Sequence, residues 1–244
     1  MAKHIEPRLH GENKWFSRFQ DYIGEFIYGG IDGSVTTFAV VAGAAGAQLD
    51  SAVVLILGFA NLFADGFAMS VGSYLSTKSE QENYQKHKAI EYWEVDNLPE
   101  KERDEIREIY AAKGFEGELL EQVVDKITEN KDRWVDVMMK EELNMTEESK
   151  SPFQMGFVTF ISFLSLGFIP LIVYVIDYTS SSISGDLFLY SSVLTFVTFA
   201  GIGFAKSYVT QANKLRSTIE TLFLGGSAAV LAYFVGDFLE KMIA

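Results

Sequence analysis

Tyr22–Ala47 reads YIGEFIYGGIDGSVTTFAVVAGAAGA, an apolar and small-residue run with a carboxylate, Asp32, near its middle. About 20 apolar residues cross the hydrocarbon core of a bilayer, so this run is long enough to span. A carboxylate at mid-depth costs roughly 2.5–3.5 kcal/mol on insertion scales, which turns Asp32 away from lipid. Gly29, Gly30 and Gly33 flank it and let another helix, or an ion, approach the backbone. An acid in such a setting is a candidate functional group.

Outward from this run the pattern repeats. A tight turn, Gln48–Ser51, leads to a second apolar helix over about Ala52–Thr77, which also carries a mid-span acid, Asp65. Three more spans are expected over about Phe153–Ile176, Leu187–Ser207 and Thr218–Leu239, the first of them kinked at Pro170. Tyr174, Tyr178 and Tyr190 gather near one boundary, where aromatic belts form. Residues 78–150 interrupt the apolar pattern with 21 acidic and 12 basic side chains, a net charge of −9 out of −13 for the chain. Within them Pro99 suits a helix start and Gly114 a stop. Leu119, Leu120, Val123, Val124 and Ile127 form a stripe of helical period, and Trp134–Leu143 a last short helix. The expected fold is all-α: five membrane spans with a helical insert between spans two and three. The divisions are a tail (1–21), two spans (22–77), the insert (78–150) and three spans (151–244).

The loops Gln48–Ser51 and Asp177–Asp186 hold no Lys or Arg, whereas the tail, the insert and the Lys206–Arg216 loop hold all of them except Lys241. The positive-inside rule therefore puts the tail and insert in the cytoplasm. The tail lacks a cleavable signal pattern. Its shortness, with no eukaryotic sorting extension, points to a bacterial inner membrane, the vacuolar membrane being the alternative. No cysteine and three histidines exclude disulfides, thiol chemistry and a histidine-built zinc site. A basic nucleic-acid-binding patch is absent too.

Two groups of residues carry chemistry. In the second span Asn61, Asp65 and Met69 recur at i, i+4 and i+8 and share a helix face. With Asp32, and with Glu25 at a cytoplasmic mouth, they suggest a path for a cation or protons. The plain alternatives are interhelical hydrogen bonding, ordinary Met packing, and an interfacial Glu25 in water. In the insert, Glu91/Glu94 and Glu102/Glu105 are i, i+3 pairs able to share a hard cation. Glu102 and Glu105 precede Ile106 and Ile109 and so lie over the apolar stripe, with nearby basic residues mostly pointing elsewhere. Met138 and Met139 stand four and three residues before Glu142. They are core filler on their own, but soft ligands beside glutamates. An oxygen-rich site with sulfur and no imidazole suits Fe²⁺ or Mn²⁺ better than zinc or copper.

GGIDGSVTTFAVVAGAAGA in the first span, GFANLFADGFAMSVGSYLS in the second and the helical insert resemble the vacuolar iron transporter family, the yeast-type vacuolar iron and manganese carriers. The resemblance runs from about Tyr22 to the C-terminus. It implies a homodimer of five-span protomers moving Fe²⁺, often Mn²⁺, out of the cytoplasm in exchange for protons, along a path between the paired first and second helices. Asp32 and Met69 match the family's path residues. Glu91, Glu94, Glu102, Glu105, Met138, Met139 and Glu142 match its metal-binding insert. Asn61 is neutral where an acid would make a stronger site. On this reading the protein is not an enzyme, has no prosthetic group, and contacts lipid, divalent ions and protons but no nucleic acid. The rival is a membrane-anchored metal-binding or ferroxidase module. Di-iron bundle sites usually also need Glu-x-x-His, and His87 has no such spacing.

Overall fold

A computed structural model describes residues 14–180, 183 and 185–243, all helix and connecting turn, and resolves two compact units. One comprises residues up to Tyr74 and from Ser151 onward; the other is Leu75–Lys150. Residues 1–13, the outer part of the expected tail, lie outside the described residues. Residues 14–21 are helical, the first helix, α1, starting at Lys14 (Lys14–Gly46), while the apolar stretch long enough to span begins at Tyr22.

In the first unit α1 is followed by α2 (Ser51–Asn97), α6 (Pro152–Gly167), a 3₁₀ turn (Ile169–Leu171), α7 (Ile172–Ser180), α8 (Leu187–Thr210) and α9 (Lys214–Ile243). Among the described residues five helices are long and apolar enough to cross a membrane, counting α6–α7 as one. Asp186 caps α8, its Oδ1 accepting from the Phe188 and Leu189 amides at 2.9 and 3.2 Å. Gln48 and Gln211 take left-handed backbone at the two tight reversals.

At Pro170 the expected kink takes the form of a 3₁₀ interruption between α6 and α7, and its consequences can be followed atom by atom. Proline has no N–H to give the carbonyl four residues earlier. That carbonyl, of Leu166, instead accepts from Ser34 Oγ of α1 at 3.0 Å. The Pro170 carbonyl accepts from Ser191 Oγ of α8 at 2.6 Å. Hydroxyls thus satisfy backbone groups that lipid could not.

Around α1 pack α6, α8 and α9, with Phe38, Val41, Phe163, Leu171 and Phe199 buried. Phe38 meets Phe188, Phe196 and Phe199 at centroid distances of 6.1–6.3 Å. Lipid tails are as apolar as these side chains, so close packing rather than water exclusion holds such helices together. The glycines beside Asp32 serve that packing: a Cβ on Gly33 would lie 2.5 Å from the Phe163 carbonyl oxygen, and one on Gly167 2.8 Å from that of Gly33. Of the two uses foreseen for them, Gly29, Gly30 and Gly33 admit α6. We therefore expect Gly33→Leu to destabilise the protein by about 1–3 kcal/mol or more through overpacking. Its thermal midpoint in detergent should fall, whereas Gly24→Ala, with nothing within 4 Å of the new methyl, should leave it unchanged.

The second unit contains the outer part of α2 with α3 (Pro99–Ala112), α4 (Gly117–Thr128), α5 (Lys131–Val137) and a π turn, Met138–Glu142. Pro99 begins α3, Gly114 ends its excursion at φ +93°, and Asn130 caps α5 by accepting from the Arg133 amide at 2.9 Å. Val95, Ile106, Val124, Trp134, Val135, Met138 and Met139 form the core. The apolar stripe of α4 is narrower than its spacing suggests: Val124 and Ile127 are buried, but Leu119 is 56% exposed. The expected helix through Leu143 changes type at Met138, where the Leu143 amide reaches the Met138 carbonyl at 3.2 Å. An α-helical turn would bring Glu142 round towards the buried face of Met138. The wider i→i+5 turn leaves it exposed at the rim.

Candidate functional site

The carboxylates of the insert come from three places. Glu91 and Glu94 lie on α2, Glu102 and Glu105 on α3, and Glu142 on the π turn. Glu91, Glu94 and Glu102 each offer an oxygen within 4.8 Å of the others. Glu91 and Glu102 are 3% and 1% exposed, and among the described residues Glu91 Oε2 and both Glu102 oxygens have no hydrogen-bond partner.

Buried carboxylates without hydrogen-bond partners are costly when charged, which favours their protonated form or a neutralising counter-charge. Desolvation, followed by the neighbouring carboxylates, pushes the pKa of Glu91 and Glu102 up to about 7. The same causes raise Glu142, through partial desolvation and then Glu105. A folded pKa above the unfolded value stabilises fully below the unfolded value, and that contribution is lost as pH rises through the folded one. The metal-free insert should therefore be most stable below pH about 4.5 and lose stability up to pH about 7. A bound divalent ion should abolish the difference. Thermal unfolding at pH 5 and pH 8, followed through Trp93 and Trp134 with and without Mn²⁺, checks this.

Glu105 departs from the expected arrangement. It is half-buried and ion-paired with Lys101, whose Nζ lies 2.8 Å from Glu105 Oε1 and 3.8 Å from Glu102 Oε1. The expectation that nearby cations turn elsewhere thus fails at Lys101, a residue not singled out in the sequence. The Lys-x-x-x-Glu spacing was the available signal. Met138 and Met139 are fully buried in the apolar core, so the core-filling role is realised and any ligand role would be additional to it.

In the first unit Asp32, Asn61, Asp65 and Met69 are all half-buried. Asp32 and Asp65 lie within electrostatic reach of each other. Neither carboxylate has a hydrogen-bond or ion-pair partner among the described residues. Among the described residues Asn61 Nδ2 is buried without a hydrogen-bond partner, as is the hydroxyl of Thr37 in α1, the second of the adjacent pair Thr36–Thr37. Met69 packs against the apolar core. Glu25 is half-buried, with Oε2 accepting from Ser73 Oγ at 3.4 Å and Thr159 Oγ1 at 3.3 Å. It is therefore tied to α2 and α6 rather than standing free in water.

Known proteins resemble the chain over most of its length. The chain is 35% identical over 229 residues to a vacuolar iron transporter of Toxoplasma gondii, covering 91% of this chain and 76% of the relative. It is 33% identical over 242 residues to vacuolar iron transporter 1 of Arabidopsis thaliana, covering 97% and 95%. It is 31% identical over 247 residues to the vacuolar iron transporter of Plasmodium falciparum, covering 96% and 88%. The sequence profile of the VIT family matches residues 23–237, taking in all five apolar helices and the acidic insert between them. This multi-pass membrane protein belongs to the VIT family.

Proposed function

We propose that the chain is a carrier that moves divalent iron, and manganese with it, out of the cytoplasm in exchange for protons, working as a homodimer. The observation that carries this reading is the set of buried carboxylate oxygens on Glu91 and Glu102 that lack a hydrogen-bond partner among the described residues, in a chain whose relatives are named iron transporters. Those oxygens fit a divalent ion: it would neutralise groups that otherwise have to take up protons. Oxygen donors in the same unit as Met138 and Met139 suit Fe²⁺ or Mn²⁺.

The insert captures the ion on the cytoplasmic side, its net charge of −9 raising the local cation concentration by an amount that salt reduces. Glu105, Glu94 and Glu142 complete the shell. The ion then reaches Asp32, Asp65 and Met69, with Asn61 and Glu25 flanking the route. The exposed apolar face of α2, including Ile56, Phe63 and Phe67, is offered to a second copy, so that the path lies between protomers. A desolvated carboxylate prefers a proton or a metal to standing bare. Metal from the cytoplasm therefore displaces protons, and protons from the acidic far side displace metal. A vacuolar membrane and a bacterial inner membrane present the same polarity, with the proton-rich side away from the cytoplasm.

Uptake into proteoliposomes across an imposed pH gradient tests this. Fe²⁺ influx should collapse when the gradient is removed and be competed by Mn²⁺. Gradient-independent flux would sink the exchange, and oxygen consumption without flux would favour a ferroxidase.

A further inference from the structure

We propose that Lys101 is the insert's own counter-ion: its ammonium holds the place of a cation among the carboxylates and is displaced when a divalent ion loads, so that it sets the affinity of the site. This rests on the metal-capture reading of the insert.

The pairing of cations in the second unit singles Lys101 out. Lys78 pairs with Glu82, Arg103 with Asp125, Arg107 with Asp104 and Glu121, Lys113 with Glu141, Lys131 with Asp96 and Lys140 with Asp136. Among the described residues Lys101 alone pairs with members of the carboxylate cluster, touching Glu105 and reaching Glu102.

Helix energetics give no reason for a lysine there. Position 101 is in the first turn of α3, where the positive end of the macrodipole opposes a cation. The Lys-to-Glu order at i, i+4 is also the weaker of the two orientations. What the position does provide is a charge beside Glu102, whose oxygens are buried and otherwise unpartnered. The lysine can also leave cheaply. Its side chain is 61% exposed, an ion pair so exposed is weak, and four flexible carbons carry the head group out to water.

A divalent ion in the cluster would face this ammonium at close range, so the lysine must swing away, and its repulsion opposes binding. Lys101→Gln keeps length and polarity without the charge. In the full-length protein in detergent, titrated with Mn²⁺ alone, it should bind about three- to tenfold more tightly than wild type. Lys101→Arg, which keeps the charge, should stay near wild type. Glu102→Gln should bind more weakly. A second readout follows the amine itself: Mn²⁺ should speed acylation of Lys101 in wild type while leaving Lys126, paired with Glu129, unaffected.

If Lys101→Gln binds Mn²⁺ no tighter while Glu102→Gln weakens binding, the counter-ion role is wrong and the capture site stands. Unchanged Lys101 labelling on Mn²⁺ addition overturns displacement in the same way. If wild type and Glu102→Gln bind Mn²⁺ equally poorly, the capture site itself falls and the lysine's role with it.

Discussion

Asp32→Ala should reduce metal uptake into proteoliposomes to the level of empty vesicles. The loss is expected to be on the order of a hundredfold, the equivalent of roughly 3 kcal/mol for a mid-membrane carboxylate. The protein should still fold and its thermal midpoint should hold or rise, because the deletion removes a half-buried acid that has no protein partner among the described residues. Asp32→Asn should lose uptake equally: the amide keeps the shape but can neither balance a divalent ion nor carry a proton. Asp65→Asn should be milder if Asp65 acts through its field on Asp32, and equally severe if it ligates the ion. Wild-type flux in the Asp32 variants would remove the residue from the path. A collapsed midpoint would instead make Asp32 a packing residue.

Glu91→Gln combined with Glu102→Gln should move two properties in opposite directions. Mn²⁺ binding by the full-length protein should fall by two orders of magnitude or more, since the two most buried donors of the cluster lose their charge. The metal-free protein should become more stable above pH 7. With both carboxyls raised from the ordinary value of 4.5 to about 7, ionising each costs on the order of 3 kcal/mol, and the amides avoid that cost. The stability gap between pH 5 and pH 8 should shrink accordingly. A merely structural pair would lose stability and binding together. Unchanged Mn²⁺ binding would make these glutamates solvated charge, the reading that an acidic insert first invites.

Much of this was written locally in the chain. A carboxylate in a run such as residues 22–47 is legible because the bilayer penalises it wherever the neighbours lie. The kink followed from one residue, Pro170, because the missing N–H is a covalent fact. The i, i+3 glutamate pairs could likewise be read from helical period alone.

Which member of a pair faces inward was another matter. Glu102 and Glu105 have the same spacing from their apolar neighbours, yet Glu102 is 1% exposed and Glu105 is held at the edge by Lys101. Neighbouring helices decide that, and no window along α3 contains them. The π turn at Met138 was hidden for the same reason: its sequence is compatible with an α-helix, and the wide turn is visible only in the folded insert. Glu25 could be read as interfacial until hydroxyls from two other helices were seen to meet it. The sequence by itself determined where charge enters the membrane and where carboxylates cluster along helices, since solvation cost and period are properties of the local chain. Only the tertiary structure decided which oxygens are left without a partner, because pairing depends on what the other helices bring within about 3 Å.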